Sequence, residues 1–409
     1  MKRNLLTPFL LVLSSLSWAS PTRFDFGVST NSTDRCFVEA TETYSPKKGY
    51  GFEGNAPSLF SVALPEGNYR VTVHVGSAEK EADTTIKAES RRLMVFAAKT
   101  PKGETRDLSF IVNIRTPKLA PPPLNAPGGT QVDLNDREQG VYHWDDKLTL
   151  EFSGANPSVK GLDIEPAPSV PTVFLAGDST VTDQGGEPAG EWGQMLPVFF
   201  SPDIAVANHA ESGETLKSFI TGHRLDKILE QMKAGDFLLI QFGHNDSKKQ
   251  WPQTYVEPFT TYQAYLRVFI AEARRRGAIP ILVTSMHRRT FSPEGKIINS
   301  HGDYPEAVRQ LAKELGVPLI DLHAMSAVFY EALGKQRSSL AFMDATHHRN
   351  YGGYELAKCI VEGIKSSVPE LAKHLKPGLQ SFDPAKPDNP DTFSIPASPS
   401  RLVHPPRGS

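Results

Sequence analysis

The sequence predicts a chain of two folded domains, an all-β sandwich over 21–166 and an α/β domain over 172–377, joined by a short linker over 167–171. One change of rhythm predicts it. Up to Pro166 the apolar residues recur with period two, and beyond Pro171 apolar strands alternate with helical stretches of period about 3.6. A chain of 409 residues that is 39% hydrophobic and 22% charged has enough material to fill both cores. Its 44 basic and 46 acidic side chains leave a net charge of −2, which excludes the basic footprint of a nucleic-acid binder.

Taken in order, Lys2 and Arg3 precede Leu5, Leu6 and the run Phe9 to Leu13, and Ser17-Trp18-Ala19 supplies a small-x-small site. This layout predicts a signal peptide over 1–19, cleaved near Ala19, and so a secreted or periplasmic protein. The apolar run is interrupted by Pro8 and serines and is shorter than the roughly 20 residues of a membrane span, so no span is expected. The two cysteines, Cys36 and Cys359, offer neither a disulfide framework nor a C-x-x-C metal knuckle. Cys359 falls within an amphipathic helical pattern, which predicts a buried thiol.

The first domain carries alternating runs at Phe24 and Phe26, Val71 to Val75, Leu108 to Ile114, Leu148 to Phe152, and Leu162 and Ile164. Pro65-Glu66-Gly67-Asn68 supplies a turn before the second run. Pro117 to Gly129 reads as an exposed loop, because proline cannot donate to a ladder. In the second domain the predicted strands are Val173–Ala176, Ile204–Ala207, Phe237–Phe242, Ile279–Thr284 and Leu319–Leu322. Tyr262, Tyr265, Leu266, Phe269, Ile270 and Ala273 form one helical face that ends at Gly277. Val308, Leu311, Ala312 and Leu315 form another that stops at Gly316, and Ala357, Ile360, Val361 and Ile364 form the last. Residues 378–409 are rich in Pro, Ser and Asp without apolar period, which predicts a disordered tail.

Four short blocks fall just past elements of the α/β domain, the edge where such sheets bind ligands. Gly177-Asp178-Ser179-Thr180 places a hydroxyl past the first strand. Asp344-Ala345-Thr346-His347 offers that serine a base and a group to orient the base. Asn208-His209-Ala210-Glu211-Ser212-Gly213 offers a backbone N–H at a glycine, and Gln241-Phe242-Gly243-His244-Asn245-Asp246 a side-chain amide, both suited to a developing oxyanion.

Together these blocks resemble the SGNH (GDSL) hydrolase superfamily. Leu175 to Thr180, Asn208-His209-Ala210, Asp344 to His347 and Tyr351-Gly352-Gly353 are similar to its rhamnogalacturonan acetylesterase branch over about Thr172 to Leu375. The β domain resembles, less specifically, the galactose-binding-like jelly-roll modules that precede some exported esterases. The resemblance implies a flavodoxin-like three-layer α/β/α domain, Ser179 as nucleophile, His347 as base and Asp344 as its orienter. It further implies an oxyanion hole of Ser179, Gly213 and Asn245, no cofactor and no metal, and an acetylated or methylated pectic polysaccharide as partner.

One departure from that pattern is Gly213-Glu214-Thr215, where an acidic side chain would repel uronate carboxylates. Expected substrate contacts are His287, Arg288 and Arg289, with the arginine pair clamping a carboxylate through forked hydrogen bonds, together with Trp251 and His348. Trp192 is a further candidate for stacking on a sugar. Other readings of the same residues are a pectin methylesterase, a lipid or thioester hydrolase with the same triad, and a carbohydrate-binding protein with a vestigial site. A metal hydrolase built on His244, His301, His347 and His348 fits poorly, because helix-borne ligation uses i, i+4 pairs.

Overall fold

The computed structural model describes residues 22–27, 34–54 and 56–399. The expected signal peptide over 1–19 and the end of the expected tail, 400–409, lie outside the described residues. Among the described residues, the first part of the chain forms ten strands: β1 (Arg23–Phe26), β2 (Cys36–Val38), β3 (Tyr50–Glu53), β4 (Ala56–Ala63), β5 (Gly67–Val75), β6 (Ala82–Ala88), β7 (Arg92–Thr100), β8 (Arg106–Ile114), β9 (Lys147–Asn156) and β10 (Val159–Pro166). They form two five-stranded sheets, ordered β2-β1-β10-β5-β8 and β3-β4-β9-β6-β7. Alternate residues from both sheets, among them Phe24, Phe60, Val71, Val73, Phe110, Leu148, Leu150 and Leu162, fill one shared core.

The second part holds a five-stranded parallel sheet of β11 (Thr172–Gly177), β12 (Ala205–Asn208), β13 (Phe237–Gln241), β14 (Ile279–Val283) and β15 (Leu319–Ile320), in the order β12-β11-β13-β14-β15. Its helices are α1 (Trp192–Met195), α2 (Leu216–Thr221), α3 (Arg224–Gln231), α4 (Gln263–Arg275), α5 (Tyr304–Leu315), α6 (Leu322–Arg337), α7 (Asn350–Ser367) and α8 (Pro369–Ala372). Period-two alternation divides β11 between two cores. Val173 and Leu175 pack with α1, α6 and α7, while Phe174 and Ala176 pack with α2 to α5. This is the doubly wound, three-layer order whose strand crossover, between β11 and β13, opens a crevice at the carboxyl edge. Gly277 and Gly316 take φ of +74° and +58° at the ends of α4 and α5, the left-handed caps their positions require.

Two expectations change. The last strand stops at Ile320 because the Asp321 side chain accepts from Ala324 N at 3.3 Å, so Leu322 opens α6. Residues 378–399 are not disordered. Tyr351 Oη donates to Asp388 O at 2.7 Å, Phe393 packs on Tyr351 and Tyr354 with ring centroids 5.5 and 5.0 Å away, and Ile395 is buried. A few isolated apolar anchors hold this strap, and anchors without a period leave no trace in a pattern search. Cys359 is buried at 0% exposure, and both cysteines are free thiols.

Candidate active site

Ser179 sits on the turn that follows β11. Asp178 braces that turn: its Oδ1 accepts from Thr180 N at 3.0 Å and Thr180 Oγ1 at 2.8 Å, and its carbonyl accepts from Val181 N and Thr182 N. The loop after β12 lies alongside. Asn208 Nδ2 donates to Val181 O at 2.8 Å and Asp183 Oδ1 at 2.9 Å, Thr182 Oγ1 donates to Ala210 O at 2.7 Å, and Glu211 N donates to Gly177 O at 3.2 Å. Gly213 then takes φ of +83°, a conformation L side chains rarely adopt. After β13, Asp246 accepts from Gly243 N at 3.0 Å and Leu216 N at 2.9 Å, and Asn245 Nδ2 donates to Glu214 O at 3.0 Å, tying the second and third loops together.

The fourth loop completes a line of hydrogen bonds. Asp344 Oδ1 accepts from Thr346 N at 2.6 Å and His347 N at 2.7 Å, and Asp344 Oδ2 lies 2.8 Å from His347 Nδ1. His347 Nε2 lies 2.9 Å from Ser179 Oγ. Burial works to raise the Asp344 pKa, but the side-chain and backbone bonds of His347 outweigh it and hold the carboxyl below its ordinary value. An ionised carboxylate only accepts, so the imidazole hydrogen lies on Nδ1 and Nε2 is free to accept from the serine hydroxyl. Burial works to lower the His347 pKa, but Asp344 and the carboxylate of Glu191 leave it raised. The structure thus brings Ser179, His347 and Asp344 into contact and sets the loops of Gly213 and Asn245 beside them.

The expected substrate contacts fare unevenly. His348 faces away from the site and is fully buried, with Nδ1 2.8 Å from Glu191 Oε2 and Nε2 2.8 Å from Tyr330 Oη. His287 is buried and stacks on His323 with ring centroids 3.6 Å apart. Arg289 turns to the end of α6, donating to Ser338 Oγ at 3.0 Å and Lys335 O at 2.9 Å, so the expected Arg288–Arg289 clamp does not form. Arg288 stays at the site, donating to Thr346 Oγ1 at 3.2 Å and His244 O at 3.1 Å. Trp192 is fully buried and donates to Gln241 Oε1 at 2.9 Å, which leaves no face for a sugar. Trp251 is half-buried, with Lys248 Nζ 3.8 Å from its ring centroid. The expected repulsion by Glu214 is also corrected, because its carboxylate is taken by Arg224 Nε at 3.1 Å and Ser218 Oγ at 2.6 Å.

Sequence reasoning gave several residues here no role in hydrolysis. His244 Nδ1 lies 3.3 Å from Asp178 Oδ2, and its ring packs edge-on against His301 with centroids 4.4 Å apart. Burial lowers the pKa of both histidines. Gln184 Nε2 donates to Ser179 O at 2.9 Å, and Arg137 reaches the loop before Gly213 from the β sandwich. No periodicity marks 132–146, so nothing in the pattern pointed to Arg137. Among the described residues one group, Glu138, His143 and Glu211, gathers potential metal-ligand atoms within 4.8 Å. Both Glu138 oxygens are bonded to Arg224, and Glu211 is paired with Arg137, so cations already occupy the charge a metal would need.

A bonded serine, histidine and aspartate at the carboxyl edge of a parallel sheet define an ester hydrolase of α/β type. Residues 175–356 match the GDSL-like lipase/acylhydrolase family. The chain is 42% identical over 220 residues to rhamnogalacturonan acetylesterase RhgT of Bacillus subtilis (strain 168), covering 50% of this chain and 93% of that one. It is 40% identical over 200 residues to the probable rhamnogalacturonan acetylesterase YesY of the same organism, covering 47% and 92%. It is 26% identical over 377 residues to the uncharacterized esterase YxiM, also of B. subtilis, covering 84% and 90%. The chain belongs to the GDSL-like lipase/acylhydrolase family.

Proposed function

We propose that this esterase is exported and removes O-acetyl groups from a pectic, rhamnogalacturonan-type polysaccharide through an acyl-enzyme at Ser179. The observation that carries the mechanism is the 2.9 Å contact between His347 Nε2 and Ser179 Oγ, with Asp344 bonded behind the imidazole. As Ser179 Oγ attacks the ester carbonyl, His347 takes its proton and passes it to the leaving sugar hydroxyl. Asp344 holds the tautomer and stabilises the imidazolium. Ser179 N–H, Gly213 N–H and the Asn245 amide receive the negative charge that develops on the carbonyl oxygen. A water, deprotonated by His347, then attacks the acyl carbon and releases acetate and free serine.

The relatives named for rhamnogalacturonan support the substrate class. So does the charge beside the serine, where the Asp178 carboxylate acts on both Lys248 and Arg288. Arg288 bonds Thr346 in the triad loop and the His244 carbonyl, and Lys248, three residues past Asn245, sets its Nζ 3.8 Å from the Trp251 ring centroid. Lys248 and Arg288 thereby replace the Arg288–Arg289 pair as the group suited to a uronate carboxylate. The leader-like residues 1–19 support export.

Proton NMR of acetylated, methylated rhamnogalacturonan incubated with wild type and with Ser179→Ala tests the reading. Acetate released by wild type alone is expected, with neutral acetylated xylan turned over more slowly. Methanol in place of acetate would overturn the acetyl assignment, and acetate released equally by Ser179→Ala would overturn the nucleophile.

A further inference from the structure

We propose that Arg137 of the β sandwich is a positioning residue for hydrolysis, its guanidinium fixing the Gly213 loop against the Ser179 turn. The inference rests on the reading of Ser179 and Gly213 given above. Arg137 lies in a short helical turn, Asp136–Glu138, outside the strands of the sandwich. Its side chain is 6% exposed and crosses to the α/β domain, where its nitrogens meet three different partners. Nε pairs with Glu211 Oε1 at 3.2 Å, Nη1 donates to Ser212 Oγ, and Nη2 donates to Gln184 Oε1 at 3.1 Å. Gln184 in turn donates to the carbonyl of Ser179 at 2.9 Å. One planar fork therefore connects the residue before Gly213 to the backbone of the nucleophile.

The segment that carries Arg137 is anchored from the other side of the same glycine. Arg224 Nη1 donates to Glu138 Oε1 at 2.9 Å and Arg224 Nε to Glu214 Oε1 at 3.1 Å, and Trp144 Nε1 donates to Glu138 Oε1 at 2.9 Å. Ser212 and Glu214 are thus both held by guanidinium groups, and Gly213 lies between them. A glycine at φ +83° has no Cβ to restrict its peptide, so the direction of its N–H depends on what grips its neighbours. An oxyanion donor acts only when it is aimed before the charge develops. Ser212 and Glu211 belong to a loop of the hydrolase domain, yet the group that grips them comes from the sandwich. The sandwich is accordingly part of the reaction site, whether or not it binds glycan.

The test uses the full chain and initial rates on p-nitrophenyl acetate. Arg137→Ala is expected to lose about 10²-fold in kcat, the scale of one misaimed oxyanion donor, with KM nearly unchanged and partial recovery on adding guanidinium. Arg137→Lys, which keeps the charge without the fork, is expected to fall between wild type and Arg137→Ala. Lys227→Met removes a different bridge between the domains, to Glu66 and the Lys118 carbonyl, and is expected to keep its kcat. If Arg137→Ala does not fold, Ser212→Ala carries the test, with a loss of kcat at constant KM expected. An unchanged kcat in Arg137→Ala or Ser212→Ala would overturn the proposal, as would an equal loss in Lys227→Met or a kcat loss that guanidinium leaves unrelieved. With Ser179→Ala inactive, such a result removes only this inference. Hydrolysis at wild-type rate by Ser179→Ala would remove the reading of the site itself.

Discussion

Replacing Asp344 with Asn isolates the role of one proton. In the wild-type loop Asp344 Oδ1 accepts two backbone N–H bonds, from Thr346 and His347, while Oδ2 faces His347 Nδ1 at 2.8 Å. Asparagine keeps Oδ1 for the backbone bonds, so the loop holds its shape, but it presents an NH₂ to the imidazole. His347 Nδ1 must then accept, and the ring hydrogen moves to Nε2, where it points at Ser179 Oγ and cannot take the serine proton. The expected loss in kcat is about 10⁴-fold, the size of a reversed tautomer in a serine hydrolase. The assay is initial rates on p-nitrophenyl acetate across the pH range in which histidine titrates, with thermal unfolding as the folding control.

The pH profile gives a second readout of the same substitution. His347 must be neutral to accept a proton, and its pKa is raised above 6.5. Wild-type kcat/KM is therefore present at high pH and lost as pH falls through a midpoint above 6.5. Asp344→Asn removes a carboxylate that favours the charged ring, so the acid limb of its residual activity shifts to lower pH. Activity above about a tenth of wild type, or an acid limb that does not move, would refute the orienting role of Asp344.

Asn245→Ala is expected to lower kcat by about 10²- to 10³-fold with little change in KM, because the oxyanion is absent from the ground state; a raised KM at constant kcat would make Asn245 a binding residue instead. Gly193→Ala, in α1, would place a Cβ 2.2 Å from Val181 O and 2.9 Å from Asn208 Nδ2, the two atoms that tie the nucleophile turn to the second loop. Urea unfolding is expected to show a loss of about 1–3 kcal/mol from overpacking, accompanied by reduced kcat, and a variant as stable and fast as wild type would contradict the packing.

The reacting groups were legible because Ser179, Gly213 and Asn245 follow three strands, Asp344 and His347 come just before the last long helix, and each block is punctuated by Gly or Asp. Direction was not legible. His347 and His348 are neighbours in the chain, His348 forming an isolated bridge with Phe342, yet their side chains diverge. One reaches Ser179 and the other turns inward to Glu191. The arginine run was misread for a similar reason, since Arg288 and Arg289 diverge toward Thr346 and Ser338. Strands β5, β8, β9 and β10 were visible as alternations because one face fills the sandwich core. Strands β6 and β7 were not, because Thr84, Thr85, Lys87 and Arg92 are buried among polar partners instead.

That polar burial explains what kind of contact joins the two domains. Arg92 Nε meets Asp183 Oδ2 at 2.5 Å, Arg91 meets Glu187 at 2.7 Å, Arg137 meets Glu211 at 3.2 Å, and Arg224 meets Glu138. Most of these side chains are nearly inaccessible to water. The desolvation of buried ion pairs offsets much of their attraction, so they add less net stability than an apolar contact of the same area would. They do demand one geometry, because a guanidinium that loses its carboxylate is left charged and dry. Three of the four reach segments just after β11 or β12, at Asp183, Glu187 and Glu211. The fourth, Arg224–Glu138, buttresses the turn that presents Arg137. Apolar contacts cross here too, with Leu93 in the hydrolase core, Phe96 on Tyr354 and Ile111 beside Ala205, but none of them grips these loops. The ion pairs tie the loops' positions to the docking of the sandwich, at the edge of the sheet where Ser179 and Gly213 must be aligned.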